Sequence, residues 1–118
     1  MTYRVLIVDD HPLVATGLQF ALMARGWEVE ATSGPTAAAV VGHACTFKPD
    51  CVVLDVHLGA DCGFALARAL TAVQPGLRVY LLSAGGDPDP ETVRASGACA
   101  FLRKSDVARA DFAALCQG

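Results

Sequence analysis

The chain has 118 residues, 53% of them hydrophobic and 18% charged, enough apolar material for one packed domain and too much for a disordered segment. A formal net charge of -3 provides no basic field to hold nucleic acid or an anionic membrane. Charges, glycines and prolines interrupt every apolar run well before the ~18 residues of a membrane span, and Val5-Leu6-Ile7-Val8 is too short for a signal-peptide core, so a cytoplasmic protein is expected.

The first apolar run, Tyr3 to Val8, predicts a strand, and Asp9 and Asp10 follow it. Pro12 to Arg25 has helical spacing, with Val14, Leu18, Ala21 and Leu22 on one face. Pro12 suits the first turn, where its missing N–H is no loss, and Gly26 stops the helix. A second strand, Trp27 to Ala31, ends in Thr32-Ser33-Gly34 and offers no charged group. A weaker helix runs from about Pro35 to Cys45, with Ala37, Val40, Val41 and Ala44 as its core face. The third strand, Cys51 to Leu54, leads into Asp55, and a helix over Gly63 to Val73 turns Leu66, Ala67, Leu70 and Val73 inward.

The fourth strand, Arg78 to Leu82, is followed by Ser83. Gly85-Gly86-Asp87-Pro88-Asp89-Pro90 then predicts a loop flexible at its glycines and stiff at its prolines. A short helix covers Pro90 to Ser96, capped by Asp89 and closed by Gly97. The fifth strand, Cys99 to Leu102, has Lys104 just beyond it. A last helix begins near Ser105 or Asp106 and carries Ala108, Phe112, Leu115 and Cys116 on one face.

Strand and helix alternate five times with short connections, the pattern of a parallel sheet with helices on both faces. Three of the strands are nearly continuous apolar runs, as strands covered on both sides should be. The expected architecture is a doubly wound (βα)5 fold of flavodoxin-like type, strand order 2-1-3-4-5, forming one domain over residues 1–118. Five cysteines (Cys45, Cys51, Cys62, Cys99 and Cys116) without C-x-x-C spacing read as reduced thiols, and Cys51 and Cys99 fall in apolar stretches as small hydrophobes.

In that strand order the polar groups collect. Asp9, Asp10, Asp55, Ser83 and Lys104 each follow a strand at its carboxyl end, and those strands are neighbours. Three carboxylates in one pocket repel and are costly to desolvate, so they share protons or bind a cation. An all-oxygen site with room for water suits Mg²⁺ or Mn²⁺. A carboxylate beside such an ion can attack phosphorus, while Lys104 and Ser83 hold phosphoryl oxygens. Each feature also has a plainer reading alone: Asp9-Asp10 as helix caps, Lys104 as a surface lysine, Ser83 as a turn residue, His11 and His57 as loop residues, Phe101 as packing and Trp27 as half-buried on the second strand.

Taken together, Asp9-Asp10-His11-Pro12, Val53-Leu54-Asp55, Leu82-Ser83-Ala84 and Gly97-Ala98-x-x-Phe101-Leu102-x-Lys104 resemble the bacterial response-regulator receiver family. Gly63 stands at the expected eight residues past Asp55, and the Asp-Asp-His-Pro-Leu-Val opening is similar to the subgroup carrying a C-terminal helix-turn-helix (LuxR-type) DNA-binding domain. The resemblance implies Asp55 as phosphoacceptor and Asp10 and Asp55 as direct Mg²⁺ ligands, with Asp9 acting through water and His57 through its backbone carbonyl. It also implies Lys104 as the phosphate-binding lysine, Ser83 as the switch hydroxyl and Phe101 as the switch aromatic. The implied partners are a sensor histidine kinase and a second copy on activation, with DNA reached only through a domain not in this chain. Gly59 stands where the family usually has proline, and Phe101 where tyrosine is commoner.

Such a protein is a switch without a turnover substrate. Three alternatives compete: a phosphorylation-independent dimerisation or docking module, a metal-dependent phosphatase with an aspartate nucleophile, and a flavin-binding module. The phosphatase needs a cap for which this length leaves little room, and no phosphate-binding loop follows the first strand for a flavin.

Overall fold

A computed structural model describes residues 3–32, 36–58, 61–83 and 89–103, with the backbone only at 57–58 and 61–62. The elements in chain order are β1 (Arg4–Val8), α1 (Pro12–Met23), β2 (Glu28–Thr32), α2 (Ala37–Phe47), β3 (Cys51–Asp55), β4 (His57–Leu58), β5 (Asp61–Cys62), α3 (Gly63–Val73), β6 (Arg78–Ser83), α4 (Pro90–Ala95) and β7 (Ala100–Arg103). The main sheet is parallel in the order β2-β1-β3-β6-β7. This is the expected 2-1-3-4-5 once the short antiparallel β4–β5 ladder is set aside. The predicted last helix, the loop over 85–88 and the position of Gly59 lie outside the described residues.

β1, β3 and β6 are buried almost end to end because each pleat points its alternate residues into a covered layer. Leu6, Val8, Val52, Leu54, Val79 and Leu81 meet Val40 and Ala44 of α2, Leu66 and Leu70 of α3 and Val93 of α4. On the opposite face Val5, Ile7, Val53, Tyr80 and Leu82 pack with Ala15, Leu18 and Leu22 of α1. Each fully buried Val or Leu contributes about 1.5–3 kcal/mol of transfer free energy. α1 and α2 therefore leave β2 on opposite faces, and the strand order reverses between β1 and β3. Such a reversal is where open α/β sheets bind ligands, outside the carboxyl ends of the strands.

The helix faces differ from expectation in detail. α1 buries Ala15, Leu18 and Leu22, so its core stripe is turned by one residue, and Val14 and Ala21 face outward. Its outer side also exposes Leu13 at 88% and Phe20 at 67%. In α2 Ala37 is exposed, and in α3 Val73, its last residue, is 55% exposed. The αL residues Gly26 and Gly97, both at φ +83°, close α1 and α4 as predicted. Asp89 holds the N-cap position of α4, but its carboxylate accepts from Thr92 Oγ1 at 3.3 Å, with no side-chain cap bond. Cys51 is buried, whereas Cys99 is exposed just before β7. Trp27 precedes β2 and stacks edge-on against Tyr3. Among the described residues no helix is long and apolar enough to cross a membrane.

Candidate functional site

Register builds the site. Val8 of β1 pairs with Leu54 of β3, so Asp9 and Asp55 are the next residues of adjacent parallel strands. Each continues the row of its strand that faces α1, after Val5 and Ile7 in one case and Cys51 and Val53 in the other. Asp9 N donates to Thr32 O at 3.1 Å, and Val56 N donates to Leu82 O at 2.9 Å. The sheet is thus still hydrogen-bonded on both sides where the carboxylates emerge. Both are buried, at 3% and 1% of the residue surface, while Asp10, one residue later, is exposed.

The bend after β1 is fixed locally. Asp9 Oδ1 accepts from His11 N at 2.8 Å, an Asx-type turn that brings the chain into α1. His11 is the N-cap of α1, and its own side chain makes no cap bond. The imidazole folds back over the acids: Nδ1 lies 3.0 Å from Asp9 Oδ1, 3.1 Å from Asp10 Oδ1 and 3.4 Å from Asp55 Oδ2. Ligating atoms of Asp9, Asp10, His11 and Asp55 lie within 4.8 Å of one another. At that distance two unit charges repel by on the order of 3–4 kcal/mol at an effective dielectric of 20. A groove lined by Asp9, Asp10, Pro12, Thr16 and Thr32 opens between α1 and the end of β2, on the side of Asp9 and Asp10.

The donor set suits a hard divalent cation. Three carboxylates supply oxygen, two of them on a hydrogen-bonded sheet edge, and a small number of protein ligands leaves coordination positions for water. The cluster resembles the acidic Mg²⁺ site of a receiver domain.

Ser83 is buried at the end of β6, one residue beyond Leu82, which pairs with Asp55. Phe101 of β7 pairs with Leu81 and packs against the α2/α3/α4 side of the core. Ser83 shares the pleat parity of Leu81, so it lies on the same face as Phe101, one diagonal away. His57 falls in β4, two residues past Asp55. Lys104 lies outside the described residues; β7 ends at the residue before it.

Two site features were not read from the sequence. One is His11 at the hub of the acids, which only its adjacency to Asp9-Asp10 signals. The other is the reason for Gly63: a Cβ there would sit 2.3 Å from Asp55 O and 2.8 Å from Val56 Cα. Its N–H donates to Val56 O at 3.1 Å. Glycine lets α3 start directly against the peptide that carries Asp55.

A family model described as the response regulator receiver domain matches residues 5–114. The chain belongs to the response-regulator receiver family. It is 32% identical over 105 residues to the response regulator GacA of Pseudomonas aeruginosa, covering 86% of this chain and 48% of GacA. A structure of a Burkholderia pseudomallei response regulator, described with a phosphorylated aspartic acid, calcium ion and citrate, superposes at TM-score 0.81. It has 28% identity and covers 96% of this receiver and 66% of that chain. A LuxR-family two-component response regulator from Aurantimonas shares the fold at TM-score 0.84 and 23% identity, covering 99% of this chain and 87% of that one. The chain spans about half the length, or less, of the curated relatives it matches.

Proposed function

We propose that this receiver takes a phosphoryl group on Asp55 from a sensor histidine kinase and thereby switches an output surface. The observation that carries the reading is the convergence of buried Asp9 and Asp55 and exposed Asp10 in one cluster where the strand order reverses. Asp10 and Asp55 would hold Mg²⁺, with Asp9 acting through water and the His57 backbone carbonyl as a further ligand. The ion, when bound, neutralises phosphoryl oxygens. An Asp55 carboxylate oxygen forms the new P–O bond as the P–N bond to the donor imidazole breaks. Lys104 holds a phosphoryl oxygen, Ser83 donates its hydroxyl to another, and Phe101 follows Ser83 inward. The exposed Leu13 and Phe20 on α1, the helix that lines one side of the groove, favour a protein donor.

On this reading the chain is one receiver domain that makes and slowly loses its own phosphoryl group, without a turnover substrate. It dimerises on activation and controls transcription through a DNA-binding domain outside this chain. The Asp-Asp-His-Pro-Leu-Val opening favours a LuxR-type output.

The test is intact-protein mass spectrometry after incubation with acetyl phosphate and Mg²⁺, with Asp55→Asn alongside. The expected result is one metal-dependent phosphoryl adduct, labile to alkali and lost in the variant. No adduct under conditions that label another receiver would refute the reading and favour a phosphorylation-independent docking module.

A further inference from the structure

We propose that the His11 imidazole is a built-in occupant of the cation position, which a divalent ion must turn out in order to bind. This inference rests on the reading of Asp9, Asp10 and Asp55 as the metal cluster. A single nitrogen, Nδ1, faces all three carboxylates, at 3.0, 3.1 and 3.4 Å. These are the groups a bound ion would face. An Nδ1–H is needed to donate toward them, and the ring carries one in its charged form and in one neutral tautomer. The competition is therefore positional and does not require a change of charge.

The backbone permits the exchange. His11 N is held by Asp9 Oδ1 at 2.8 Å, and His11 O accepts from Ala15 N at 3.1 Å in the first turn of α1. With both backbone groups anchored, the ring leaves by rotation about its own side-chain bonds alone. Its side chain is 60% exposed, so it has solvent to enter. Rotamer changes of exposed side chains take picoseconds to nanoseconds, which makes the ring an equilibrium competitor and not a kinetic gate. If it fills the position in roughly nine of ten molecules, apparent cation affinity falls about tenfold. The hard-oxygen preference of Mg²⁺ argues against the ring remaining as a ligand.

The experiment titrates the full chain with Mn²⁺ alone at one fixed pH, reading free ion by electron paramagnetic resonance, and then displaces it with Mg²⁺. His11→Ala is expected to bind Mn²⁺ about tenfold more tightly than wild type. His11→Ser, which keeps a favourable N-cap residue on α1, should tighten binding to a similar degree. In wild type, the His11 ring resonances should move with Mg²⁺ occupancy to the values of a solvent-exposed imidazole. Equal affinity in all three proteins overturns the inference while leaving the metal site standing. Weaker binding in both variants also overturns it, making His11 a ligand. No binding in any of the three sinks the cation site itself, and the inference with it.

Discussion

The close approach of α3 to Asp55 turns one added methyl group into a test of how the site is held. In Gly63→Ala the new Cβ would lie 2.3 Å from Asp55 O, 2.8 Å from Val56 Cα and 3.1 Å from Asp55 C. A carbon–oxygen contact normally closes no nearer than about 3.3 Å, so the overlap with the carbonyl is roughly 1 Å. Neither side yields easily. The oxygen belongs to the last residue of β3, which is paired in register with β6 through Leu82, and the methyl belongs to the first residue of α3.

Overpacking of this kind costs about 1–3 kcal/mol, against a helix-propensity gain of at most about 1 kcal/mol, less at a helix start. The net expectation is a loss of about 2 kcal/mol. Gly17→Ala is the matched control, because a Cβ on that exposed α1 position meets nothing within 4 Å. It should gain about 0.5–1 kcal/mol from reduced backbone entropy in the unfolded chain. The same chemical change thus has opposite signs at the two sites, which differ by roughly 3 kcal/mol. Urea unfolding with linear extrapolation resolves that difference easily. Moreover, the peptide that must shift carries Asp55, so Gly63→Ala should weaken Mn²⁺ binding where Gly17→Ala leaves it unchanged. A Gly63→Ala protein as stable as wild type would refute the claim that this contact fixes the site.

Two further substitutions probe the frame. Gly97→Ala combines φ +83° with a Cβ 2.5 Å from Thr71 Oγ1, and should cost about 2–3 kcal/mol, of which 1–2 is the left-handed backbone. Thr71→Ala in that background should restore only the steric part, which a double-mutant cycle in urea measures. Thr36→Ala removes the hydroxyl that accepts from Ala39 N at 3.0 Å at the start of α2. It should cost about 1 kcal/mol of unfolding free energy in the same assay, with Thr36→Ser near neutral.

Much of this fold can be read directly from the sequence because β1, β3 and β6 are covered on both faces, and short continuous apolar runs between turn residues suit such strands. α3 matches its predicted span, Gly63–Val73, and Leu66, Ala67 and Leu70 of its predicted face are buried. α1 is harder: Val14, Ala15, Ala21 and Leu22 are all apolar, so the sequence admits two adjacent stripes. The sheet chooses the one in which small Ala15 lets the helix approach. Cys99 looks like strand interior but precedes the first paired residue of β7, Ala100. The two-residue β4–β5 ladder is too short to leave a periodic signal. At the site, strand order together with strand-end position is enough to bring Asp9, Asp10 and Asp55 to one place. The side-chain direction of His11 is a rotamer, and no spacing rule encodes it.

The arrangement explains why the acids can be so close without the sheet coming apart. Asp55 follows four buried apolar residues of the central strand, and its position is fixed from two directions, by Val56 N on Leu82 O and by Gly63 N on Val56 O. Asp9 is fixed similarly through Thr32 O and His11 N. Rigid backbone on both strands keeps the carboxylates from separating to relieve their repulsion, so the repulsion must be met by a cation or by a donor within reach. Without an ion the His11 ring is one such donor, within reach of all three acids. The features that hold the cluster together without metal therefore also preform it for one. On the proposed reading, a rigid site costs less reorganisation when charge develops on the oxygens of a phosphoryl group, so the constraint that makes the acids expensive to bury would also make them useful.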